Sequence, residues 1–175
     1  MTRAAVTGAV APIAAGPGAV RLHGLLDSPA ELSVQQLRAM PSHRVEVSFD
    51  CLGSGLQCHG FEGPLLWDVL CAARPRVDFT GRKQRLRHLL TVTGADGHLA
   101  VLSWAEIDPD FGGQRILLAT SIDGEPLDAV GPQLVIPADA CGARYISGIR
   151  AIRVGAVELP KSAAVTRWRA RSRST

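Results

Sequence analysis

Punctuation constrains this chain most: short apolar runs are broken repeatedly by Gly, Pro and Asp before any becomes a long helix. "RVEVSFD" places Val45, Val47 and Phe49 on one face, with polar residues between them, the period-two pattern of a half-buried strand. "HLLTVTGADGHLAVLSW" is two apolar runs joined by Gly-Ala-Asp-Gly, a hairpin signature. "VRLHGLLDSP" predicts a strand closed by an Asp-Ser-Pro turn, "RILLATSIDGEPL" a strand with an Asp-Gly turn, "PQLVIP" another strand and "YISGIRAIRVGAVEL" a closing strand pair. Helical spacing is rarer. In "AELSVQQLRAM", Leu32, Leu37 and Met40 follow it around a Ser33 cap. In "PLLWDVLCAA", Leu66, Val69 and Leu70 do so behind Pro64, and "AEIDPDFGG" reads as a helix-to-turn exit. Strands outnumber helices and no βαβ rhythm repeats, so the expected class is α+β, mixed and mostly antiparallel.

With 46% hydrophobic residues in 175, the chain can bury the core of one domain. We expect a flexible N-terminus over 1–20, a domain over 21–160 and a basic, disordered tail over 161–175. The formal charge of +3 comes from that tail. It holds five Lys and Arg and no acid, leaving residues 1–160 at −2. Such a tail suits an anionic surface, but a frayed, solvated terminus has the same composition. The basic loop "RPRVDFTGRKQRLRH" lacks the interleaved aromatics of a nucleic-acid platform, so nucleic acid is not an expected partner. No transmembrane segment and no twin-arginine signal is visible, which points to a cytoplasmic protein, although a trimmed, exported form would read the same.

Four cysteines, Cys51, Cys58, Cys71 and Cys141, form no CxxC pair, which argues against a zinc ribbon or a thioredoxin-like site. Cys51 follows the "RVEVSFD" strand directly and precedes Gly53 and Gly55. A rigid strand can aim a thiolate at a soft metal, yet a buried inert thiol is the commoner role by spacing alone. Cys58 and His59 are adjacent and point to opposite faces of an extended segment, so a site shared with Cys51 requires the loop to curl. Cys71 reads as core, and Cys141 has no partner the sequence identifies. Hydrolase elbows and phosphate loops are absent as motifs. Glu106, Asp108 and Asp110 are explained by capping and turn formation.

Six segments taken in order change the balance. "VRLHGLLDSPAELSVQQLRAMP", "VEVSFDCLGSG", "HGFEGPLLWDVLCAA", "TGADGHLAVLSWAEIDPDFGG", "ILLATSIDGEPL" and "GPQLVIPADACGARYISGIRAIRV" resemble the oxidoreductase molybdopterin-binding domain of the sulfite oxidase family across roughly 20–155. In that family a strand ends in a cysteine that ligates molybdenum, and a Gly-x-x-Leu turn opens a helix about a dozen residues later. Cys51 and Gly63-Pro64-Leu65-Leu66 match this placement. "DGHLA" matches the family's hairpin, and "GARYISG" its pterin-binding segment, where backbone and arginine meet the pyranopterin and its phosphate.

The resemblance therefore implies a molybdopterin cofactor with Cys51 as metal ligand. His59, Gly142, Ala143 and Arg144 would be cofactor-binding, with Arg144 as a bidentate anion clamp. Cys51 and Tyr145 would be catalytic, and Tyr145 and His59 would line the metal face, although a Tyr in a closing strand or a His beside a glycine loop is as readily a packing residue. It further implies oxygen-atom transfer to or from a small-molecule substrate, and a redox partner protein. The chain also departs from the larger sulfite oxidases. Leu52-Gly53-Ser54-Gly55 stands where they carry an Asn-Arg-Arg run, Ser147 stands where they carry a pterin-segment lysine, and the dimerisation and haem domains have no counterpart. The alternative is a non-catalytic module of the same fold that binds a pterin or another small anion.

Overall fold

A computed structural model describes residues 16, 18–51 and 55–158, with Cys51 through its backbone only. Residues 1–15, the Leu52-Gly53-Ser54 stretch and the basic tail lie outside the described residues.

The elements, in chain order, are β1 (Ala19–Gly24), β2 (Ala30–Ser33), α1 (Val34–Arg38), β3 (His43–Cys51), β4 (Gly55–Gly63), α2 (Leu66–Ala72), α3 (Arg82–Arg85), β5 (His88–Gly94), β6 (Leu99–Ser103) and α4 (Trp104–Ile107). They continue with β7 (Leu117–Ala119), β8 (Ser121–Ile122), β9 (Glu125–Pro126), β10 (Gln133–Val135), a 3-10 turn (Gly142–Arg144) and β11 (Ile149–Ala156). A five-stranded sheet runs β2-β1-β11-β5-β6, a four-stranded sheet β3-β4-β8-β9, and β10 pairs with β7. Only β1 and β11 pair in parallel among the named strands, in keeping with the α+β expectation.

Local chemistry accounts for most boundaries. Ser33 caps α1: its hydroxyl accepts from the Gln36 N–H while the Gln36 side chain accepts from the Ser33 N–H, a reciprocal box that satisfies two otherwise orphaned donors. Ser103 and Glu106 repeat the arrangement at α4. Two departures from expectation stand out. The glycine-bearing stretch 55–63 is a full strand paired with β3 from His43↔Gly63 to Cys51↔Gly55. Gly63 answers close approach, since a Cβ there would lie 2.2 Å from the Leu118 carbonyl oxygen, whereas Gly55 has open space around it and adopts φ +71°. The expected closing strand pair is one strand, because Gly148 turns the chain at φ +58°, a region side chains disfavour.

The side chains settle into two cores. The larger lies under the five-stranded sheet and gathers Val20, Leu22, Leu66, Leu70, Leu90, Trp104, Ile152 and Val154. The smaller lies under the β3-β4 hairpin: Val47, Phe49, Phe61, Leu117, Ala119, Val135 and Tyr145. Backbone bonds from Leu66 N–H to Ile116 O (2.8 Å) and from Thr120 N–H to Glu62 O (2.7 Å) tie the segment around β7 to the α2 entry and to β4. Among the described residues no helix is long and apolar enough to cross a membrane.

Candidate functional site

The end of β3 meets the loop that leads into the 3-10 turn. Asp50 forms a parallel bridge with Cys141, and its N–H donates to the Ala140 carbonyl at 3.1 Å. Cys51, the last residue of β3, is thus placed beside the chain that delivers Gly142, Ala143 and Arg144. Gly142 is required by contact: a Cβ there would sit 2.7 Å from Phe49 Cδ2. Phe49 in turn stacks on Tyr145 at 4.4 Å between centroids, a pair worth about 0.5–1.5 kcal/mol beyond its buried area. The smaller core therefore clamps the strand end and the turn together.

Arg144 is held by two acids. Nε donates to Asp139 Oδ2 at 2.8 Å, Nη2 to Asp139 Oδ1 at 2.6 Å and Nη1 to Glu106 Oε2 at 3.0 Å. The Asp139 bond, with Glu106 behind it, holds the guanidinium above the ordinary arginine range against the opposing effect of burial. A guanidinium carries about five N–H donors, so these three bonds leave donors over, and 34% of the side chain remains exposed.

Tyr145 is buried and its hydroxyl donates to the Ile136 carbonyl at 3.0 Å. Burial, reinforced by Asp139, pushes its phenol up to about 12, so it is a poor proton donor near neutrality. His59 borders the same core, 6.3 Å from the Phe49 ring and 6.0 Å from Phe61, and its Nδ1 lies 2.7 Å from Asp123 Oδ2. Asp123 also accepts from the Gly60 N–H at 2.8 Å. That bond first, and His59 second, hold its carboxyl below the usual range.

The register separates Cys58 from His59. Cys58 stands opposite Ser48, with Sγ 3.1 Å from the serine Oγ, and His59 stands opposite Val47 over the aromatic core. They face opposite ways, as the period of two requires. Among the described residues no group of three or more His, Cys, Asp and Glu side chains is arranged to hold a metal.

Sequence reasoning missed the partners that orient these groups: Asp123, Asp139 and Glu106 in its second role. The Ser103-x-x-Glu106 spacing was a readable capping signal, whereas the reach from Glu106 to Arg144 spans 38 residues. The other members of the carboxylate cluster also do more than cap. Asp108 binds buried Arg85 at 2.8 Å and the Trp104 indole N–H at 3.1 Å, and Asp110 binds Arg85 at 2.6 Å.

The donor set suits a metal-pterin group in kind: a soft thiol residue at a strand end, backbone at a turn packed against that strand, and a partly exposed guanidinium with N–H groups to spare. It offers no surplus of positive charge, because Asp139 and Glu106 outnumber Arg144.

Comparison with known proteins supplies the remaining findings. The family model for the oxidoreductase molybdopterin binding domain matches residues 17–161. Among solved structures, the sulfane dehydrogenase SoxCD from Paracoccus pantotrophus superposes with a TM-score of 0.62 at 17% identity, over 81% of this chain and 39% of that chain. At that identity the likeness shows the fold alone, and the chain spans well under half the length of its SoxCD counterpart. No curated protein matches the chain.

Proposed function

The chain belongs to the oxidoreductase molybdopterin-binding domain family, and from that premise we propose a molybdenum-cofactor-dependent oxidoreductase that moves an oxygen atom, with two electrons, to or from a small substrate in the manner of sulfite oxidases. The observation that carries this reading is the junction at the end of β3, where Asp50 is bonded to the loop that delivers Gly142 and Arg144 and the next residue is Cys51.

Within this reading each residue has a limited task. Cys51 holds the metal as a thiolate. The spare N–H groups of Arg144, with the backbone of Gly142 and Ala143, meet the oxygens of the pterin tail. Asp139 and Glu106 keep the guanidinium plane in one orientation. Tyr145 serves by stacking on Phe49, since its hydroxyl is committed to Ile136. His59, oriented through Nδ1 by Asp123, is the group at the rim of the aromatic core beside the strand end. When bound, the cofactor supplies the oxygen-atom and electron chemistry that side chains lack. A separate redox protein then exchanges the electrons.

One observation favours a second reading, a non-catalytic module for a pterin or small anion: two carboxylates already engage the only arginine at the turn. Elemental mass spectrometry with pterin fluorescence separates the two readings, using full-length protein from a host that makes the cofactor. Near-stoichiometric molybdenum and pterin in the wild type, with metal lost or altered in Cys51→Ser, is the expected result. A well-folded wild type carrying neither would overturn the oxidoreductase reading.

A further inference from the structure

We propose that β6 is a pairing edge for a second copy of this chain, the two strands running antiparallel about a two-fold axis at Ala100. This inference does not depend on the cofactor.

β6 ends the five-stranded sheet and pairs only with β5 among the named strands. The Gly94 N–H donates to the His98 carbonyl at 2.8 Å, and the register continues through Val92↔Ala100 and Leu90↔Leu102. Antiparallel pairs alternate between bonded and non-bonded. Ala100 and Leu102 therefore turn their backbone groups toward β5, and Leu99, Val101 and Ser103 turn theirs off the edge. The outward Ser103 N–H is already taken by Glu106 Oε1 at 2.9 Å. What remains is the N–H and C=O of Leu99 and of Val101, which have no partner among the described residues. Their side chains are 55% and 50% exposed.

Sheet edges are ordinarily blunted by Lys, Pro, a bulge or shortness. "LAVLS" has no charge and no proline, and its pairing with β5 runs without a register shift. The opposite edge, β2, is protected: it is four residues long, carries Glu31 and runs directly into α1.

A second copy fits this edge better than a charged partner does. With Ala100 opposite Ala100, Leu99 faces Val101 of the copy and each pair exchanges both backbone bonds. Every free edge group is then used once, and the Ser103 N–H is not needed. Leu99 and Val101 cover each other on the outer face. From Leu99 to Leu102 the strand carries no charge, so an acidic or basic partner strand finds no counter-charge along the free groups. Such an isologous contact closes as a dimer.

The test is the mass of the full chain in solution by light scattering over a range of concentrations. The wild type is expected to rise to twice the 18.5 kDa chain mass, and Val101→Lys to remain at the single mass with an unchanged circular dichroism spectrum. Residue-resolved hydrogen exchange on the wild type decides the matter even if that variant misfolds. The Leu99 and Val101 amides gain protection as concentration rises, while the Ala100 and Leu102 amides are protected throughout. A wild type that stays at 18.5 kDa overturns the proposal, as does a folded Val101→Lys that still dimerises. Concentration-independent protection of Leu99 and Val101 overturns it too, because another segment of the same chain would then be covering the edge.

Discussion

Of the arginines that bridge a pair of carboxylates, Arg44 does so on the exposed face of the β3-β4 hairpin, whereas two others share one short helix. Arg85 reaches Asp108 and Asp110 just beyond α4, while Arg144 reaches Glu106 within α4 and Asp139 ahead of its own turn. Their surroundings differ. The Arg85 side chain is 3% exposed, and its guanidinium carbon lies 5.9 Å and 5.1 Å from the centroids of the Phe79 and Phe111 rings. Arg144 is 34% exposed and lies beside the end of β3. The same bonding pattern thus yields a pin in one place and an oriented, partly open donor in the other. Burial decides between them, because a desolvated charge cannot spare its partners.

Removing an acid from the buried pair is the strongest way to break the comparison. Asp108→Ala removes both Arg85 Nη1 bonds, leaves that charge to half-exposed Asp110 alone and strands the Trp104 indole N–H, and we expect a loss of about 3 kcal/mol in urea unfolding. A loss no larger than that of a surface pair would mean that Arg85 finds water. Gly142→Ala comes next, since its Cβ would meet Phe49 at 2.7 Å. Overpacking of this kind costs about 1–3 kcal/mol, and in this case it also shifts the turn that carries Arg144. Urea unfolding at the wild-type midpoint would show that the turn yields freely.

Tyr145→Phe sharpens the contrast through pH. The folded state raises the phenol from 10.0 to about 12, chiefly by burial, so it holds the proton more tightly than the unfolded chain. That contribution is complete below pH 10, the unfolded value, and is lost as pH climbs toward about 12. The variant forfeits the Ile136 hydrogen bond, about 1 kcal/mol near neutrality, and its stability curve is expected to be flatter on the alkaline side. An unchanged alkaline limb would refute the assignment of that limb to Tyr145.

How much of this was legible before the structure follows from the range of each interaction. The alternation of Val45, Val47 and Phe49, the Ser33 cap and the Gly94–Gly97 turn are local, and each appears where the sequence puts it. The opposed faces of Cys58 and His59 also follow from period two. β4 was missed because three glycines read as a loop, although at Gly63 an added Cβ would collide with the Leu118 carbonyl of β7. The two arginine bridges were illegible for another reason. Arg85 finds its acids 23 and 25 residues away and Arg144 finds Glu106 at 38, pairings that no periodicity encodes. Of the candidate site, the order Cys51 then Gly142-Ala143-Arg144 was readable by resemblance, while the acids that orient Arg144 came only from packing.

The most direct measurement is the pterin content of full-length Arg144→Gln beside the wild type, each with its urea-unfolding free energy. If Arg144 is an open donor rather than a second pin, pterin falls severalfold while stability changes by less than about 1 kcal/mol, as for other partly exposed pairs. Undiminished pterin together with a large loss of stability would contradict the account, because Arg144 would then be doing the work of Arg85.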